Sequence, residues 1–271
     1  MAQLKDGTSW GRYGATGAPV VVLIHGLGLN RDVWQWMLPE LVTQYSVISY
    51  DLYGHGKSGA PEGTPSLSMF SRQLASLLDA AGVTKAALIG FSLGGMICRR
   101  FAQDHPDRVS ALVILNSAHQ RTAEAQAAIL KRVEQAGRDG PAATVDEAME
   151  RWFTDAFRDA NPETIELVRE WVLANDKAIY PTIYRVLAAG VDEITAPSPR
   201  IGLPTLVLTG DEDFGNGPEM TKAIAAEIEG AETLILPGLR HMALAENPSA
   251  VNVPVKAFLD RVLLGERKSA C

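Results

Sequence analysis

Ser92, Asp213 and His241 lie far apart in the chain, yet their types and settings permit nucleophilic attack on a carbonyl carbon. A serine hydroxyl is a weak nucleophile until a base takes its proton, and that base needs a third group to orient it. Ser92 falls within Leu88-Ile89-Gly90-Phe91-Ser92-Leu93-Gly94-Gly95, where an apolar strand starting at Ala86 breaks into the helix-forming run Met96 to Gln103. The Gly90-x-Ser92-x-Gly94 spacing lets strand and helix close around a strained serine whose hydroxyl projects from the corner. The helix starting there aims unpaired backbone N–H groups and its positive dipole end at the place where negative charge would develop.

A base must come from one of five histidines, His25, His55, His105, His119 and His241. His241 follows the last strand pattern and precedes the last long helix pattern, on a loop that can reach the carboxyl end of a sheet. His25 and His55 sit in glycine turns and suit contacts with the backbone. His105 precedes Pro106 and reads as a helix cap. His119 follows a strand and is expected to line the substrate pocket. The acid is sought in Thr209-Gly210-Asp211-Glu212-Asp213, which closes a later strand. Asp213 is the better candidate, and Asp211 stays open as the alternative. Oxyanion stabilisation is expected from the backbone N–H groups of Leu93, beside the nucleophile, and Leu27, in the glycine loop after His25.

The elements that must carry these residues alternate in type. Val20 to Ile24, Tyr45 to Asp51, Ala86 to Ile89, Arg108 to Asn116, Leu203 to Thr209 and Glu232 to Leu236 are β-branched or apolar runs of the kind buried in a parallel sheet. Helical patterns fall between them, notably Ser66 to Ala81, Pro218 to Ile228 and Ser249 to Leu264, while Thr8 to Gly17 reads as an edge hairpin. Between about residues 118 and 195 the alternation stops. Four helical patterns, Thr122 to Ala136, Val145 to Phe157, Pro162 to Leu173 and Lys177 to Ala189, predict a helical cap over 119–195 inserted into a core of 1–118 and 196–271. Trp152, Phe157 and Tyr184 of this cap are expected to contact substrate.

The 271 residues suffice for one large α/β domain with an insertion, and 46% hydrophobic with 21% charged residues excludes disordered and fibrous classes. A formal charge of −7 without a basic stripe argues against nucleic acid or an anionic membrane as partner. The first residues lack the apolar core of a secretion signal, which predicts a cytoplasmic protein. Cys98 and Cys271 have no zinc-type company and are expected to be reduced; no metal or cofactor is expected. Gly265 to Cys271 is expected to fray.

Together these residues resemble the α/β-hydrolase superfamily: His25-Gly26, Asp51 with Gly54-His55-Gly56-Lys57-Ser58, the elbow at Ser92, the Gly210-x-x-Asp213 turn and the late His241. The resemblance implies a mostly parallel sheet flanked by helices, with Ser92 as nucleophile, Asp213 as acid, His241 as base and Leu27 with Leu93 as oxyanion donors. Serine at the elbow sets the chain apart from haloalkane dehalogenases and epoxide hydrolases, which carry aspartate there. Pro218 falls one residue later than usual after the acid, and Leu239-Arg240 replaces the usual small residue and glycine before His241.

Within the superfamily the chain is similar to the branch of 3-oxoadipate enol-lactonases, esterases and N-acyl-homoserine lactonases. Its acidity, the cap aromatics and the absence of an evident gathering of cationic residues around the elbow favour a neutral lactone with an acyl tail. The expectation is a metal-free serine hydrolase of esters or lactones, foremost an N-acyl-homoserine lactonase. A 3-oxoadipate enol-lactonase-like enzyme, a carbon–carbon bond hydrolase and a perhydrolase-type haloperoxidase are alternatives, and a non-catalytic ligand receptor is a remote one.

Overall fold

In the computed structural model, residues 2–265 are described; the terminal stretch expected to fray, apart from Gly265, lies outside them, as does Cys271. Eight strands form one sheet: β1 (Ala2–Gln3), β2 (Ser9–Tyr13), β3 (Val20–Ile24), β4 (Ser46–Tyr50), β5 (Ala86–Phe91), β6 (Val109–Leu115), β7 (Thr205–Gly210) and β8 (Glu232–Leu236). Their spatial order is β1-β2-β4-β3-β5-β6-β7-β8. β1 with β2 and β2 with β4 are antiparallel, and every other pairing is parallel. All six residues of β5 are buried. This is why the strand that leads into Ser92 is apolar on both faces rather than alternating.

The helices in chain order are α1 (Leu38–Leu41), α2 (Leu67–Ala80), α3 (Leu93–Asp104), α4 (Ala123–Asp139), α5 (Val145–Trp152), α6 (Asp155–Ala160), α7 (Pro162–Leu173), α8 (Tyr180–Ala189), α9 (Pro218–Ala226), α10 (Ala243–Glu246) and α11 (Pro248–Leu259). Ser66 caps α2 by accepting from the Met69 N–H at 3.2 Å, and Leu67, Phe70, Leu74, Leu77 and Leu78 bury one face. A cap of this kind stabilises a helix by about 1 kcal/mol. α4 to α8 all fall between β6 and β7 and cover the carboxyl ends of the strands, where the cavity lies.

The pattern Val145 to Phe157 is interrupted. Phe153 is extended and the Thr154 side chain accepts from Phe157 N–H, so α5 stops and α6 starts within the stretch. The Thr154 N–H is drawn out of the helix ladder by Glu246, at 2.6 Å. Between β3 and β4 a 3₁₀ segment, Arg31–Trp36, is followed by the single turn α1. Among the described residues no helix is long and apolar enough to cross a membrane, and Cys98 is a free, buried thiol.

Candidate active site

Ser92 links β5 to α3 at φ 55° and ψ −114°, a left-handed conformation strained for a side-chain-bearing residue. Its neighbours show why the corner needs glycine. A Cβ on Gly90 would lie 2.3 Å from the Gly94 carbonyl oxygen, and one on Gly94 would lie 2.0 Å from that of Ile24. Ser92 N–H donates to Leu115 O at 2.9 Å, and Ser117 Oγ donates to Ser92 O at 2.8 Å. Both bonds engage the main chain of Ser92, so they hold the elbow to β6 and the residues just after it and leave the hydroxyl to the cavity that Ser92 lines. Leu93 opens α3, so its N–H is one of those a helix leaves unpaired at its start. Gly26 packs against Ser92, with space for a Cβ only 3.0 Å from Ser92 Cβ. This brings the Leu27 loop beside the elbow, and Leu27 lines the same cavity.

His241 lies between β8 and α10, and its Nδ1 is 2.7 Å from Asp213 Oδ2. The same Oδ2 accepts from Asn116 Nδ2 at 3.0 Å, and Oδ1 accepts from the N–H groups of Gly215 and Asn216 at 3.0 and 2.9 Å. Burial alone would raise the Asp213 carboxyl, but His241, Asn116 and the Asn216 amide outweigh it and hold the group below the ordinary carboxylate value. Asp211 instead accepts from Gly238 N–H at 2.7 Å in an exposed turn. Of the two carboxylates left open by sequence, Asp213 is the one that holds the imidazole. Ser92, Asp213 and His241 line one cavity of about 200 Å³. A carboxylate-held imidazole sharing a cavity with a serine at a helix N-terminus is equipped to take the hydroxyl proton and stabilise an oxyanion.

The expected substrate contacts divide. Trp152 and Tyr184 line the cavity, and the Trp152 ring lies 5.8 Å from that of His241. His119 does not line it: its Nε2 sits 3.1 Å from Glu227 Oε1, a carboxylate that also pairs with buried Arg99 at 2.9 Å. Phe157 does not line it either, because its ring stacks on fully buried Phe153 at 5.5 Å and 9°. Both positions serve packing, His119 at the entry to the cap and Phe157 within it.

Four arginines were not anticipated. Arg121, Arg132 and Arg151 line the cavity that holds Ser92, which corrects the expectation that cationic residues are not gathered around the elbow. Arg132 Nε donates to Tyr184 Oη at 3.1 Å, and Arg132 and Arg151 share Glu147 at 3.6 and 3.3 Å. Arg121 donates only to the carbonyls of Ala188 and Leu187, at 3.3 and 3.2 Å. The fourth, Arg240, is the departure noted before His241. Its Nη1 donates to Phe153 O, Glu150 O and Asp155 Oδ1 at 2.7, 3.0 and 2.9 Å, and its guanidinium covers Phe214 at 5.1 Å. With Glu246 accepting from the Arg240 and Thr154 N–H groups, it straps the histidine loop to the cap. An arginine next to the candidate base was visible in sequence, but its partners about ninety residues away were not.

His25 and His55 hold the glycine loop. Leu52 N–H donates to His25 Nε2 at 2.9 Å and Gly28 N–H donates to His55 Nε2 at 3.0 Å, so both rings are neutral acceptors. Burial lowers His25 to about 4 and His55 to about 3. A histidine lowered on folding takes up its proton more readily when unfolded, so its stabilisation is present above 6.5 and fades as pH falls. Unfolding free energy is therefore expected to drop by about 2 kcal/mol per histidine between pH 7 and 5. Urea midpoints across that range measure this, and a flat profile would contradict it.

These features are those of the alpha/beta hydrolase fold, and that family's sequence profile matches residues 19–248. The chain belongs to this family. It is 30% identical, over 89% of its length and 90% of the relative's, to an (E)-2-((N-methylformamido)methylene)succinate hydrolase of Acinetobacter baylyi. Its structure is similar to that of an enol-lactonase from Burkholderia xenovorans LB400, with a TM-score of 0.86 and 26% identity over 93% of this chain and 96% of that one. It is also similar to Est816, described as an N-acyl homoserine lactone degrading enzyme, with a TM-score of 0.77 and 25% identity over 93% and 96%.

Proposed function

We propose that the chain is a serine hydrolase that cleaves carboxylic esters or lactones through an acyl-enzyme on Ser92. The observation that carries this is the strained serine sharing a cavity with an imidazole held by a buried carboxylate. His241 takes the Ser92 proton as Oγ bonds to the acyl carbon, and the N–H groups of Leu27 and Leu93 receive the oxyanion. The acyl–oxygen bond then breaks, and the leaving alkoxide takes the proton from His241; in a lactone it stays tethered to the acyl group. Water, deprotonated by the same imidazole, releases the acid and restores the serine. Trp152 and Tyr184 form walls of the substrate cavity.

Within this class we favour an enol-lactonase-like enzyme over an N-acyl-homoserine lactonase. The support is the cavity's polar wall of guanidinium groups, which does not suit a purely apolar tail, together with the likeness to the Burkholderia enol-lactonase. The test is mass-spectrometric product analysis after incubation with enol-lactones, acyl-homoserine lactones of several tail lengths, an aryl ester and a dienoic ketoacid. Multiple turnovers on enol-lactone or aryl ester are expected. Turnover confined to long-tailed homoserine lactones would restore the other lactonase reading. A single stoichiometric burst on every compound would leave a receptor on a hydrolase scaffold.

A further inference from the structure

The cavity that holds Ser92 is lined by three guanidinium groups and one carboxylate, and that carboxylate, Asp213, is already occupied by His241, Asn116 and two backbone amides. Glu147, outside the lining, is shared between Arg132 and Arg151 and is half exposed. Arg121 has no carboxylate partner among the described residues; two of its five N–H groups reach the last carbonyls of α8 and the rest are unspent. A part-buried cation without a counter-ion is unfavourable unless something that visits the cavity supplies one. Burial and the neighbouring Arg132 lower Arg121 to about 10, which leaves it charged at neutral pH.

The geometry points to a substrate that carries a carboxylate on its acyl part, docked on Arg121 with Arg132 and Arg151 adding to the positive field. This rests on the proposed serine-hydrolase reading and narrows it to anionic acyl groups. The planar guanidinium offers paired donors that match a carboxylate, and such a charge-assisted pair, part-buried, discriminates against a neutral isostere. It also orders the reaction. With the carboxylate anchored at the cap, the scissile carbonyl is fixed at a set distance from that anchor, so the acyl chain length that fits is narrow.

The test uses mono-4-nitrophenyl esters of adipic and pimelic acid, each compared with the same ester whose far carboxylate is capped as a methyl ester. The wild-type protein is expected to favour the free acid over the capped form by about tenfold to a hundredfold in kcat/KM. In Arg121→Met that ratio falls close to one, because kcat/KM for the free acid drops by about tenfold or more beyond any change for the capped ester once the anion's partner is removed. Arg121→Lys, which keeps the charge and a donor, retains part of the preference. It also shows that the Met result is not a collapse of the α8 terminus. Equal use of both ester types by the wild type overturns the proposal and leaves the hydrolase reading standing. A preference that survives Arg121→Met overturns it as well. Cleavage of neither ester type, nor of any lactone in the product survey, is a failure of the hydrolase reading itself.

Discussion

Replacing Ser92 by alanine is expected to lower kcat by about 10⁵- to 10⁶-fold on any ester or lactone the protein cleaves, because nucleophile and base act as a unit. The fold should survive the change. Alanine is strained at φ 55° to the same degree as serine, and the bonds that fix the corner run through the main chain of Ser92 to Leu115 and Ser117. Thermal unfolding within a few degrees of wild type is therefore the control. Binding of a non-hydrolysable carboxylate should persist, because Arg121 and the cap are untouched. Turnover within tenfold of wild type in a correctly folded Ser92→Ala protein would remove the acyl-enzyme from the mechanism.

The second large effect is expected for Asp213→Asn, a loss of about 10⁴-fold in kcat. The carboxylate of Asp213 accepts from donors on both oxygens: His241 and Asn116 on Oδ2, Gly215 and Asn216 on Oδ1. An amide can present oxygen to the two backbone N–H groups, but its NH₂ then faces two donors. His241 responds by moving its proton to Nε2, which leaves no lone pair to take the proton of Ser92. The donor-to-donor contact with Asn116 is also expected to destabilise the fold by about 1–3 kcal/mol. Rates should therefore be compared well below the variant's own unfolding temperature. A loss under tenfold would mean that Asp213 only builds the turn. Asp211→Asn serves as the comparison and should leave kcat near wild type, since its carboxylate meets only the exposed Gly238 turn.

The strands, α2, α3 and the elbow were legible because their signals are local. A run such as Val20 to Ile24 can satisfy its backbone only in a covered sheet, and Gly90 and Gly94 are demanded by contacts made within a few residues or with the adjoining strand. The order of serine, acid and histidine along the chain also placed them at the carboxyl ends of β5 and β7 and after β8. Parallel strands put all such ends on one side of the sheet. What misled the reading of His119 and Phe157 was proximity to the right region. His119 follows β6 where the chain enters the cap and Phe157 follows α5, which lines the cavity, yet Glu227 of the core and Phe153 of the cap capture their side chains first.

The chain's own pattern was enough to establish an α/β-hydrolase core, a serine at a strained corner, and the histidine and short list of acids that could serve it. The character of the cavity was settled elsewhere. Arg121, Arg132 and Arg151 are spread over thirty residues of the sequence and meet around the site only once α4 packs on α8 and α5 brings Arg151 to the same cavity. Arg240 likewise acquires its role from Glu150, Phe153 and Asp155. Periodicity records which face of a helix is buried, but the charge of a pocket is a sum over side chains from several elements. That sum exists only when their relative positions are known.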